Sequence, residues 1–130
     1  MNIKVSVDIE EEIRLALANY LTVYHRPLPE NFPTPCTLIE QMGGSTSNTI
    51  DRFLVRLSTR AETEAEALEV LRVAVGILGA QCKAQTGALR YMSENSLASW
   101  GSDPVRPDLK LATATVLVTA HKESLEIENS

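Results

Sequence analysis

Gly43-Gly44-Ser45-Thr46-Ser47 has the composition of a loop that cradles a phosphate group. Such loops work because a helix N-terminus follows and a lysine reaches the phosphates. Here the pattern after the loop is a strand and no lysine is close, so the stretch reads as the tip of a hairpin. Metal binding has little to stand on: His25 and His121 are isolated, and Cys36 and Cys82 lie far apart, without paired-ligand spacing. Cys82 falls on an apolar helical stripe, where a cysteine behaves as a small hydrophobe. Cys36 or Cys82 would need a histidine base brought in by the fold, and no local motif provides one. No nucleophile elbow is present. Glu62, Glu64, Glu66 and Glu69 cluster at a helix start, where capping explains them better than acid–base chemistry. The sequence thus predicts no enzyme, no metal and no cofactor.

The stretch Trp100-Gly101-Ser102-Asp103-Pro104-Val105-Arg106-Pro107 holds the single tryptophan and, close by, an arginine framed by two prolines. Trp and Arg dominate interface hot spots, because they combine contact area with directional donors. Trp100 and Arg106 are therefore candidate interface residues. The other reading of Trp100 is a lid folded back on its own core.

The elements that position these residues follow from periodicity. Ile9, Ile13, Ala16, Leu17, Tyr20, Leu21 and Tyr24 share one helical face, predicting a helix from Asp8 to Tyr24. Asp8 caps it, and Glu10, Glu11 and Glu12 sit at the positive end of its dipole. Pro27, Pro29, Pro33 and Pro35 stop the helix and make residues 25–35 an extended connection. Strands are expected at Cys36 to Met42 and Ile50 to Thr59, joined by a long mobile tip. Thr63 and Glu66 form a capping box for a second helix running to about Lys83.

That second helix is apolar on more than one side. Leu68, Leu71, Val75, Leu78 and Cys82 make the core stripe, while Val70, Val73, Ala74 and Ile77 fill the flank. Val70, Val73 and Ile77 are candidate interface residues, covered either by the first helix or by another subunit. Ala88 to Glu94 reads as a strand with Leu89 and Tyr91 facing one way and Arg90 and Met92 the other. Residues 95–108 read as a loop. Leu109 to His121 alternates Ala112, Ala114, Val116, Val118 and Ala120 against Leu111, Thr113, Thr115, Leu117 and Thr119. Residues 1–122 form a single domain, and 123–130 a polar, mobile tail.

The order helix-strand-strand-helix-strand-strand defines an α+β fold, a mostly antiparallel sheet with two helices packed on one face. The chain has 130 residues, twelve basic against seventeen acidic side chains, and a net charge of −5, which argues against specific nucleic-acid or anionic-membrane binding. No apolar run reaches the ~18 residues of a membrane span. The opening residues lack a signal-peptide pattern, and two cysteines fit a reducing compartment.

The layout from residue 8 to 120 resembles the tail-terminator and tail-completion proteins of long-tailed bacteriophages, with related minor tail and neck components. The resemblance rests on the acidic helix Asp8-Ile9-Glu10-Glu11-Glu12-Ile13-Arg14 and on the proline-rich link into Leu38-Ile39-Glu40-Gln41-Met42-Gly43-Gly44. It continues through the Asp51 to Leu57 strand, the helix start Glu64-Ala65-Glu66-Ala67 and the Thr/Ala/Val strand after Arg106-Pro107-Asp108. It implies a structural virion protein, a homo-hexameric ring that caps the tail tube and meets the head connector, assembled in the host cytoplasm. Its partners would be copies of itself, tail-tube protein and head-connector protein. Another neck or minor capsid component, or a small cytosolic ligand-binding domain or enzyme, are the competing expectations.

Overall fold

Two long alternating segments build the centre of the protein. In the computed structural model, which describes residues 1–96 and 98–128, the chain runs β1 (Asn2–Val5), α1 (Ile9–Leu17), β2 (Val23–His25), β3 (Cys36–Thr46), β4 (Ile50–Ala61) and α2 (Glu64–Lys83). It continues through β5 (Leu89–Glu94), β6 (Ser99–Ser102), β7 (Lys110–His121) and β8 (Glu123–Glu126). β4 and β7 pair antiparallel along their whole lengths, from Ile50 opposite His121 to Ala61 opposite Lys110. Their inward residues, Phe53, Val55 and Leu57 against Val118, Val116 and Ala114, are buried. The main sheet has the order β2-β3-β4-β7-β5, with β6 also paired to β7. All its pairings are antiparallel except that of β2 with β3.

Both helices lie on one face of this sheet, giving the expected α+β fold. α1 packs on β2 and β3, and α2 on β4, β7 and β5. Ile9, Ile13, Leu17, Leu71 and Leu78 are fully buried between the layers. Capping follows the sequence: the Asp8 carboxylate accepts the Glu11 amide and the Thr63 hydroxyl oxygen accepts the Glu66 amide.

The structure shortens the first helix. It stops at Leu17, where the Tyr20 and Leu21 amides both turn back to the Leu17 carbonyl. The chain then enters β2, whose Val23, Tyr24 and His25 pair in parallel with Thr37, Leu38 and Ile39. Strand pairing outweighs helical periodicity here, and Tyr20 is left 61% exposed. The hairpin is longer than expected, with β3 extending to Thr46 and only residues 47–49 forming the turn. The Ser47 amide and hydroxyl both donate to the Ile50 carbonyl, and the Thr46 hydroxyl donates to Asp51. Most of the Gly43 to Thr49 segment is thus held by ladder bonds within the chain. Gly44 is required there, since any Cβ would collide with the Arg52 carbonyl.

Three further differences concern register and pairing. A bulge at Arg90 reverses the faces of the following strand, so Tyr91 points out, 64% exposed, and Met92 packs on the core. The expected loop at 95–108 contains β6, which continues the β5 edge along β7. The segment from 123, read as a free tail, pairs over Glu123–Glu126 with Val5–Asn2; residues 129 and 130 lie outside the described residues.

Candidate functional site

The sheet distributes the sequence-predicted site residues over two faces. Trp100 lies in β6 opposite Ala112, a core position, so its side chain is on the helix side of the sheet. It is 53% exposed, too open to be a lid on the core. Arg106 lies on the other side. Its guanidinium sits 5.4 Å from the Phe32 ring centroid and pairs with Asp108 at 3.2 Å. Trp100 and Arg106 therefore do not form one patch.

Val70, Val73 and Ile77 follow from helical geometry. At ~100° per residue they fall on the flank of α2 away from Gly79, which faces Met92 of β5. That flank is turned towards α1, which also packs against α2. Ile77 is partly buried against the core, Val70 is half-buried, and Val73 is 40% exposed. The three residues therefore divide, with Val73 outermost. Val73→Glu is expected to leave stability within about 0.5 kcal/mol of the parent. Ile77→Glu puts a charge against the core and should lower stability by about 2–4 kcal/mol. Urea denaturation of both variants checks the split; equal losses would show that Val73 is as buried as Ile77.

On the bare face of the sheet, the Pro-rich segment 26–35 and the loop before β7 cover one end. Arg60 of β4 lies beneath Phe32, 5.8 Å from the ring centroid, and its Nε donates to Asp103 Oδ2 at 2.7 Å. Asp103 also accepts the Val105 amide at 3.0 Å and is almost fully buried. Burial pushes its carboxyl up, but the Val105 amide and the Arg60 guanidinium outweigh this and hold it below the ordinary aspartate value. Cys36, Leu38 and Leu109 are buried outside the main core cluster. The signal for Phe32, Arg60 and Asp103 was in the sequence only as an isolated aromatic, an arginine just past the expected strand and a loop aspartate.

Farther along the same face, Tyr91, Leu54 and Leu117 stand among Arg52, Arg56 and the β7 threonines. Leu117 is 37% exposed. The chemistry-bearing residues stay apart. Cys36 lies opposite Arg60, while His121 lies opposite Ile50, ten positions along β4 and roughly 33 Å away at strand rise. Burial pushes both the Cys36 and Cys82 thiols up to about 11, so each is protonated at neutral pH. His25 meets Glu11 at 3.4 Å on the surface. Among the described residues no group of three or more His, Cys, Asp or Glu side chains is arranged to hold a metal.

Two of the acidic residues at the first helix do more than favour its dipole. Glu10 accepts the Arg26 amide and guanidinium and the Gln41 amide, tying α1 to the proline-rich segment and to β3. Glu12 accepts the Ala88 amide at the entry to β5.

The described residues leave an apolar groove of about 460 Å³ between the N-terminal half of α2 and the β5–β6 edge. Leu68, Leu71, Val75, Ala98, Ala114 and Val116 line it. The Glu69–Arg72 ion pair and Glu94 also border it. The architecture is thus an α+β layer pair with this apolar groove on the helix side and a half-bare sheet on the other. No protein-family model matches the chain, and no curated protein matches it significantly in sequence.

Proposed function

We propose that the chain is a structural virion-assembly protein, a ring-forming tail terminator that caps the tail tube of a long-tailed phage and joins it to the head. The layout from residue 8 to 120 supports this reading. So does the observed α+β sheet with both helices on one face. The observation that carries it furthest is the separation of the exposed apolar side chains. Val73 and Trp100 stand on the helix side, and Tyr91 and Leu117 on the bare side of the sheet. A closed ring needs two different patches on each subunit, and an enzyme of this size needs neither. The subunit would act by surface alone, with one rim of the ring seated on tube protein and the other on the head connector. The test is deletion of the encoding gene from an inducible phage, with electron microscopy of the lysate. Tails of overrun length, unattached to heads, are expected. Normal tails joined to heads would overturn the reading.

A further inference from the structure

β1 and β8 form a ribbon with two unlike faces. The register places Ile3 opposite Leu125 and Val5 opposite Glu123, and Met1 exchanges backbone bonds with Ile127. Alternation then gathers Met1, Ile3, Val5, Leu125 and Ile127 on one face with Glu123 at its end, Ile3 and Val5 being half-buried there. Asn2, Lys4, Ser124 and Glu126 take the other, where the Lys4 ammonium donates to the Ser124 hydroxyl. Among the described residues no helix or strand of the main layers packs substantially on the ribbon. Leu125 is 37% and Ile127 41% exposed. A two-stranded ribbon is marginal in water unless its apolar face is covered.

We propose that the apolar face of the β1–β8 ribbon docks into the groove beside α2 of a second copy of this chain. The proposal deepens the ring reading and rests on it for closure. The groove matches the ribbon in length. From Ala65 to Val75, α2 rises roughly 15 Å, and four paired strand residues span roughly 13 Å. Both surfaces are mainly apolar, the groove floor being Leu71, Val75, Ala114 and Val116, with Glu123 at one end of the ribbon face.

The ribbon of one chain lies beyond one end of β7, and the groove over its middle. β8 begins seven positions beyond Val116 along the chain, roughly 23 Å at strand rise. Ribbon and groove are thus distinct patches of one surface, and joining them between copies is a heterologous contact. Such a contact propagates from subunit to subunit and closes if the rotation allows.

The test uses the full chain with light scattering after size exclusion. The parent protein is expected to assemble as concentration rises. Leu125→Glu/Ile127→Glu removes the ribbon's apolar face, and Ala65→Trp fills the groove from an exposed helix position. Each should give a folded monomer whose self-association is weaker by roughly a hundredfold. Mixed, the two variants retain one intact ribbon and one intact groove between them, so they should form a one-to-one pair and grow no further. If the glutamates lower the folded fraction, Leu125→Gln/Ile127→Gln serves in their place.

A parent chain that stays monomeric overturns the docking, as does either variant assembling like the parent or a mixture that does not pair. Failure here is distinct from failure of the terminator reading, which the lysate images decide without reference to the ribbon. Ribbon variants that assemble normally, alongside overrun tails in the gene deletion, would leave the terminator reading standing and place the ring contact elsewhere.

Discussion

Arg60→Ala is expected to cost about 3–5 kcal/mol of folding stability, because it strands the Asp103 carboxylate in a buried site. The pair is short, at 2.7 Å, and its side chains are 13% and 1% exposed. Phe32 closes over Arg60, so water cannot readily replace the lost guanidinium. Removing both charges together, as Arg60→Met/Asp103→Leu, should cost less than either single truncation, since no unpaired ion remains.

Acid changes the size of the effect. In the parent protein the Asp103 carboxyl is held below its ordinary value of about 3.9. Its contribution is therefore present above that value and is lost as pH falls through the folded pKa. In Arg60→Ala the guanidinium is gone while burial and the Val105 amide remain, so the carboxyl titrates higher than in the parent. The variant is then relieved by protonation, and the gap between the two proteins should narrow on acidification from neutral pH to below about 4. Urea midpoints at several pH values measure this. A gap that is constant with pH would mean that Arg60 acts through packing on Phe32 rather than through charge.

Leu57→Ala should cost about 2–5 kcal/mol in the same assay. Leu57 is fully buried in β4, between Ile39 of β3 and Ala114 of β7, on the face covered by the helices. Its neighbour Ala114 is small, as are Ala112 and Ala120 of β7 and Ala67 and Ala74 of α2. That lets the helix approach the sheet and leaves Leu57 to fill the intervening space. A close-packed site of this kind collapses only partly after truncation. Leu117→Ala, on the bare face of β7, should cost under about 1 kcal/mol, because its side chain already meets solvent. Comparable losses at the two positions would mean that the bare face is covered in solution, which is itself a sign of assembly.

The chain by itself determined the layers. Alternation in β4 and β7, the helical stripe of α2 and the Thr63 cap are local periodic signals, and each repeats often enough to outweigh competing conformations. The candidate residues Val70, Val73, Ile77, Trp100 and Arg106 were legible as types with a taste for interfaces. Their division between two faces of the sheet was not.

Tertiary structure decided what depends on partners distant in sequence. β2 takes residues that read as helix because β3 offers it a ladder, and the Arg90 bulge turns Tyr91 outward because the two sides of β5 must satisfy different neighbours. Asp103 is an ordinary loop aspartate until the fold brings Arg60, 43 positions away, against it. The β1–β8 ribbon is the clearest case. Ile3 and Leu125 are unremarkable residues in polar segments, and only pairing between the two strands puts them on one apolar face. Local periodicity reports the face a residue occupies within its own element, whereas these contacts are set by which elements the chain closes together.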